Sequence, residues 1–327
     1  MDILVFEYIT GGGLRNESLP DSMVGEGDLM FTTLLKDLLE IEGIELWTTR
    51  DRRLQVPEYL LQFSNLNIKT VEEYHDLDAV LLKIINQCDA VWPIAPETGN
   101  LLESLCERVE GAGKHLLSSS SKAVKIAGNK LKTYHCLKKH SIPAVTTYDL
   151  SVAPDFGGGK WVLKPVDGVG CEGVRLIGND EEFKQYAVSS AYIIQPYVEG
   201  NTISLSCLFK QNRAWLICRN GQKVEQTDGQ FFLRECAVNI GHGRERYQAL
   251  ISQIAQAFPG LWGYVGIDMI ETDHGDQVLE INPRLTTSYA GIHKATGVNI
   301  AKNVLELLQG IPELEFVSSD CVTIKLP

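Results

Sequence analysis

Apolar positions along the chain fall into two textures. Residues 2–9 form a nearly continuous apolar run that ends at Gly11, Gly12 and Gly13. Helical spacing follows over residues 27–39, 77–85 and 101–109, and strand-like runs fall at residues 44–48, 90–94 and 115–117. Strands that alternate with helices predict a parallel sheet covered by helices, so the first ~120 residues read as one open α/β domain. After a helical segment at residues 130–139 the pattern changes. Strands are expected at residues 161–166, 174–177 and 192–198 around one helix at 181–187, followed by a meander over 202–240 and a helix at 245–258. This second texture predicts an α+β region of antiparallel hairpins. Gly157, Gly158 and Gly159 read as a loop tip and not as a domain border.

Composition narrows the function classes. The 327 residues suit two or three compact lobes, and 44% hydrophobic with 22% charged residues is ordinary for a globular protein. No apolar run reaches the ~20 residues of a membrane span, and no basic segment precedes the first apolar stretch, so a cytoplasmic protein is expected. A net charge of -12 argues against nucleic acid as a partner, though a few local cations suffice to hold a nucleotide. The eight cysteines show no C-x-x-C pair and no Cys/His metal spacing, which predicts reduced, mostly buried thiols and no zinc.

Candidate chemistry concentrates in three segments. In residues 263–284, a three-residue loop at Asp273, His274 and Gly275 would set Thr272 opposite Asp276 and therefore Asp268 opposite Glu280. That register places Val265, Ile267 and Met269 on one face with Leu279 and Ile281, and it puts Asp268, Glu280 and Asn282 together on the other. Two carboxylates and an amide oxygen are hard ligands suited to a magnesium ion on nucleotide phosphates; a half-solvated sheet face would carry the same residues. In residues 160–174 a strand delivers Lys164 into a loop with Gly168, Gly170, Cys171 and Gly173, where backbone N–H groups and an ammonium can meet an anion. The loop lacks the Gly-Lys-Ser/Thr ending of a P-loop, and a plain hairpin turn would look the same. The third segment, Gln195, Pro196, Tyr197, Val198 and Glu199, is an apolar strand that ends in extended backbone, suited to an adenine edge or to a simple edge strand.

The order of these features, Lys130, Lys164 with its glycine loop, Gln195 to Glu199, then Asp268, Glu280 and Asn282, resembles the ATP-grasp superfamily over about residues 125–290. The resemblance implies an ATP-grasp fold with a Rossmann-like N-terminal domain at 1–124, a small lobe at 125–197 and a large, metal-binding lobe at 198–327. It implies phosphate contacts from Lys130 and Lys164, adenine contacts from Gln195 to Val198, and magnesium or manganese on Asp268, Glu280 and Asn282. Cys171 stands where serine is frequent, and Thr202 where a glutamate often holds ribose, which leaves Glu199 for that task. The segments EYITGGG (7–13), IAPETGNLL (94–102) and INPRLTTS (281–288) add a narrower resemblance. It is to the branch that joins the γ-carboxylate of glutamate to tyramine in methanofuran biosynthesis.

The implied chemistry is ligation through an acyl phosphate, with release of ADP. Arg284, whose planar fork fits a carboxylate or an acyl phosphate, joins Lys164 as a catalytic candidate. Tyr8, Gly11, Gly12, Gly13 and Glu97 are candidate substrate contacts. Expected partners are an amino-acid carboxylate and an amine, with a homodimer left open. Two other classes remain at this point. A nicotinamide oxidoreductase would explain the first domain but lacks G-x-G-x-x-G and leaves the acidic pair idle. A non-catalytic nucleotide-binding protein would keep the fold.

Overall fold

The computed structural model describes residues 1–150, 159–179, 181–183, 191–241 and 244–326. Most of the helix expected at residues 181–187, and the glycines at 157 and 158, lie outside these. The first sheet is parallel with strand order β3-β2-β1-β4-β5, where β1 is Asp2–Glu7, β2 Glu45–Asp51, β3 Leu66–Val71, β4 Ala90–Ile94 and β5 His115–Leu116. Both faces of β1 are buried, which explains its unbroken apolar run. Ile3 and Val5 pack with Phe31, Leu34 and Leu38 of the helix Asp21–Leu39, while Leu4 and Phe6 pack with Leu77, Leu81 and Ile84 of the helix Leu77–Gln87. β3 escaped the sequence reading because its exposed Lys69 and Thr70 interrupt the apolar pattern.

Antiparallel pairings build the second sheet, in the order β14-β13-β10-β11-β12-β8-β7-β9-β6 with β15 beside β12. Its strands are β6 Tyr148–Asp149, β7 Trp161–Pro165, β8 Arg175–Ile177, β9 Tyr192–Pro196, β10 Asn201–Lys210, β11 Arg213–Thr227, β12 Gln230–Val238, β13 Gly263–Glu271, β14 Gln277–Asn282 and β15 Val322–Lys325. One face of β10 and β13 carries Ile203, Leu205, Val265, Ile267 and Met269, packed on Tyr247, Ile251 and Ile254 of the helix Arg244–Ala257. The period of two then turns Ser204, Ser206, Gly266 and Asp268 to the opposite face.

The β13–β14 hairpin departs from expectation near its tip. The turn is tighter, with Gly275 N–H donating to Thr272 O at 3.2 Å, and Ile270 pairs Gln277 and Met269 pairs Val278. A bulge at Leu279 then restores the pairing of Asp268 with Glu280. Val278, not Leu279, therefore enters the core, at 1% exposure.

The two sheets share a core. The helices Tyr289–Thr296 and Ile300–Gln309, which the sequence reading did not anticipate, bring Ile292, Ala295, Val304 and Leu307 into the same apolar cluster as Phe31 and Leu34. Buried Asp37 stands at this junction, accepting hydrogen bonds from Tyr289 Oη at 2.7 Å and His293 Nδ1 at 2.9 Å, while its backbone oxygen accepts from Asn299 Nδ2 at 2.8 Å. The hydrogen bond to Asp37 raises the His293 pKa above its ordinary value, with smaller contributions from the charges of Asp37 and Glu40 and against the effect of burial.

A raised histidine pKa means that the folded state binds the proton more tightly than the unfolded chain. This increment is complete below about pH 6.5 and lost as pH rises through the folded value. Urea midpoints should therefore fall between pH 6 and 8.5 more steeply in wild type than in His293→Gln. Parallel curves for the two proteins would show that the pair contributes no pH-linked stability.

Candidate active site

Asp268 on β13 and Glu280 on β14 meet on the sheet face away from the helix Arg244–Ala257. Asp268 accepts from Asn282 Nδ2 and from Gln222 Nε2, both at 3.0 Å. Lys130, the first residue of the helix Lys130–Lys139, lies with its ammonium 3.2 Å from Glu280 Oε2 and also donates to Gly168 O. Asn129 caps this helix by accepting from Lys132 N–H at 2.9 Å, and Lys130 N–H donates to Val166 O at 2.8 Å, so the helix start is tied directly to the strand that carries Lys164.

Electrostatics separate the two acids. Burial and then the neighbouring Glu280 charge push the Asp268 pKa up. Burial also acts to raise Glu280, but the ammonium groups of Lys130 and Lys164 and the hydrogen bond with Asp268 bring it below the usual carboxylate value. Lys164 is itself pushed down, first by burial and then by Lys130, with Glu280 opposing. The cluster is thus a pair of acids, with the negative charge favoured on Glu280, held against two cations in a poorly solvated place.

A magnesium ion fits this donor set. Asn282 donates with its amide nitrogen to Asp268, which leaves its oxygen as a third hard ligand beside the two carboxylates. Among the described residues no three or more His, Cys, Asp or Glu gather as an all-protein cage, here or elsewhere. A small protein share matches magnesium, which keeps waters and takes further oxygens from phosphates.

The glycine loop lies beside the cluster. A Cβ added at Gly168 or Gly173 would come within 2.9 or 2.8 Å of the Pro165 ring, so both glycines are required by close packing. Gly170, at φ +58°, is exposed, and an added Cβ there would face open space. Burial, then Glu280, pushes the Cys171 thiol up to about 11, which keeps it neutral and unreactive at pH 7.

Gln195 opposes Val162 while Lys164 opposes Ile193, so Gln195 and Lys164 share a sheet face. The Gln195 amide donates to Thr147 Oγ1 at 2.8 Å and is buried. Beyond it, Pro196 and Val198 are half-buried, Tyr197 N–H donates to Lys160 O at 2.9 Å, and Glu199 is exposed. The Thr202 hydroxyl donates to Gln222 O at 2.8 Å, which engages its only donor away from a ribose.

Arg284 follows β14 and reaches the N-terminal domain. Its Nε lies 3.0 Å from both oxygens of Glu97, its Nη1 donates to Leu285 O at 3.0 Å, and its Nη2 has no partner among the described residues. Glu97 is thus occupied by Arg284, where the sequence suggested substrate contact. Tyr8 is half-buried and packs edge-on to Phe6 with centroids 6.4 Å apart. Gly11, Gly12 and Gly13 lie in a single π-helical turn, with Gly13 N–H donating to Tyr8 O at 2.8 Å. A Cβ on them would strike Thr49, Val71 and Tyr8 respectively, within 2.8 Å. Their missing side chains therefore serve internal packing, and only their backbone is available to a ligand.

Other residues of the site were invisible in the sequence. Gln222 is in hydrogen-bond contact with Asp268 only through the β10–β11 register. Glu26, raised in pKa by burial and lowered in turn by Arg284, accepts from Thr287 Oγ1 at 3.5 Å. Thr98 and Gly99 contact Asp167 across the domain junction.

Comparison with known proteins agrees with this geometry. Residues 127–288 match the model of the ATP-grasp domain, and residues 44–124 that of the pre ATP-grasp 3 domain. The chain belongs to the ATP-grasp superfamily, and it is a ligase that forms carbon–nitrogen bonds. It is 31% identical over 294 residues to the tyramine–L-glutamate ligase of Methanocaldococcus fervens, covering 89% of each chain, and 30% identical over 293 residues to the enzyme of the same name from Methanocaldococcus jannaschii, covering 89% and 84%. An ATP-grasp superfamily protein from Archaeoglobus fulgidus shares the fold, with a TM-score of 0.72, 23% identity and full coverage of both chains.

If Asp268 and Glu280 hold the metal of a nucleotide complex, Asp268→Asn should keep the unliganded fold while losing the response to magnesium-ATP. A ligand at 100 times its Kd stabilises by about 2.7 kcal/mol, a rise of several degrees in Tm that wild type should show and the variant should not. Equal rises in both proteins would remove Asp268 from the metal site.

Proposed function

We propose that this ligase joins the γ-carboxylate of glutamate to tyramine, releases ADP and phosphate, and serves methanofuran biosynthesis. The observation that carries the reading is the convergence of Lys130 at a helix start, Lys164 on β7, and the facing pair Asp268 on β13 and Glu280 on β14 into one cluster of opposite charges. The likeness to the two tyramine–L-glutamate ligases supports the choice of substrates.

In this reading Lys130 and Lys164 bind the ATP phosphates under the loop of Gly168, Gly170, Cys171 and Gly173, and the segment from Gln195 to Val198 lines adenine, with Glu199 toward the ribose. Asp268, Glu280 and Asn282 hold magnesium, which when bound neutralises phosphate charge and aligns the γ-phosphoryl group. A carboxylate oxygen of glutamate attacks the γ-phosphorus, the bond to the ADP oxygen breaks, and an acyl phosphate forms. Arg284 holds that acyl phosphate in this reading, which its Nη2, without a partner among the described residues, supports. The amine nitrogen then attacks the acyl carbon, phosphate leaves with the bonding pair, and the amine loses a proton. Domain roles follow: residues 1–124 line the substrate side, 125–197 cover the nucleotide and 198–327 carry the metal.

Purified protein given ATP, magnesium, glutamate and tyramine should release ADP only when both acid and amine are present, with γ-glutamyltyramine detected by mass spectrometry. Turnover of a different acid and amine pair with no such amide would discard the substrates and keep the ligase.

A further inference from the structure

The loop between β4 and the helix Leu101–Gly111 touches the two ends of the candidate reaction at once. Glu97 grips the Arg284 guanidinium at 3.0 Å. The next residue, Thr98, donates its hydroxyl to Asp167 O at 3.1 Å, and Gly99 N–H donates to Asp167 Oδ2 at 2.9 Å. Asp167 immediately precedes Gly168, whose carbonyl accepts from Lys130, and Lys130 is paired in turn with Glu280.

The loop is built for this position. Gly99 at φ +63° and Asn100 at φ +61° are consecutive left-handed residues, a tight reversal that suits glycine and asparagine and few others. On the other side, Glu97 packs on Gly128, where an added Cβ would come within 2.9 Å of Glu97 Cβ, and Gly128 lies two residues before Lys130. Glu97 is 7% exposed, so its carboxylate has no ready alternative to Arg284.

We infer that residues 97–99 are a latch, with Glu97 and Asp167 as positioning residues: the N-terminal domain holds the glycine loop closed over the nucleotide phosphates through Asp167 while holding Arg284 toward the acyl phosphate through Glu97. The inference rests on the nucleotide site proposed above. Its consequence is coupling. The loop that shields the phosphoryl group and the arginine that receives it are fastened to the same three residues, so a loop that opens early exposes the acyl phosphate to water.

The test is amide hydrogen exchange of residues 168–173 with ATP and magnesium alone, in wild type, Asp167→Ala and Asp167→Asn. Nucleotide should slow exchange in wild type. In Asp167→Ala that protection should drop about fivefold, the worth of one hydrogen bond, and Asp167→Asn, which keeps an acceptor oxygen for Gly99 N–H, should recover it. Exchange across the β13–β14 hairpin serves as the control for folding and should match in all three proteins. In turnover, ADP released per amide should be near unity in wild type and Asp167→Asn and higher in Asp167→Ala. Equal protection in wild type and Asp167→Ala overturns the latch and leaves the ligase reading standing. Absence of any nucleotide protection in wild type, at the loop or around Lys130 and Lys164, overturns both.

Discussion

Two carboxylates that share one poorly solvated patch repel each other, and the structure around the site follows from how that repulsion is balanced. Asp268 and Glu280 face each other across a hairpin, and a buried charge without a partner is costly by several kcal/mol. Lys130 and Lys164 supply the opposite charge, but neither belongs to the hairpin. The helix that begins at Lys130 and the strand that carries Lys164 must therefore dock before the pair is tolerable. They dock on each other as well, through Lys130 N–H and Val166 O. The balance is incomplete, because burial pushes the lysine down and one acid up. A site left in this state gains from a ligand that brings both more cation and more oxygen, as a metal–nucleotide complex does.

Register carries this arrangement from sequence to space. The alternation of Val265, Ile267 and Met269 with Gly266 and Asp268 was readable, since a slip by one residue would bury the acids and expose the apolar row. The turn that sets the register was not. A tighter turn and a bulge at Leu279 cancel each other, so the pairing of Asp268 with Glu280 was reached through a wrong loop and a wrong core residue. Burial of the apolar face constrains the register more strongly than the turn does, and the bulge is what reconciles the two.

What stayed illegible has a common cause. The alternation of the first domain, the helix Lys130–Lys139 and the acidic hairpin are local patterns within one or two elements. Gln222 beside Asp268, Glu97 on Arg284, and Thr98 and Gly99 on Asp167 join segments 46, 187, 69 and 68 residues apart. Each depends on how whole layers pack, which no window of sequence contains. The packing around glycine depends on distant segments too. At residues 11–13 the space beside each Cα is filled by Thr49, Val71 and Tyr8, so only the backbone of these candidate contacts is left to meet a ligand.

The junction between the sheets explains why these distant contacts are affordable. Helices at residues 289–309 interleave their apolar side chains with the helix Asp21–Leu39, and Asp37 fastens the seam with hydrogen bonds to Tyr289, His293 and Asn299. A continuous core of this kind resists sliding, because closely packed side chains admit discrete arrangements and not gradual displacement. The position of Arg284 relative to Glu97 is then set by packing remote from both. Its guanidinium stands just past the end of a strand from one sheet and the Glu97 carboxylate just past the end of a strand from the other, so the seam, more than any residue in the site, decides where the two meet.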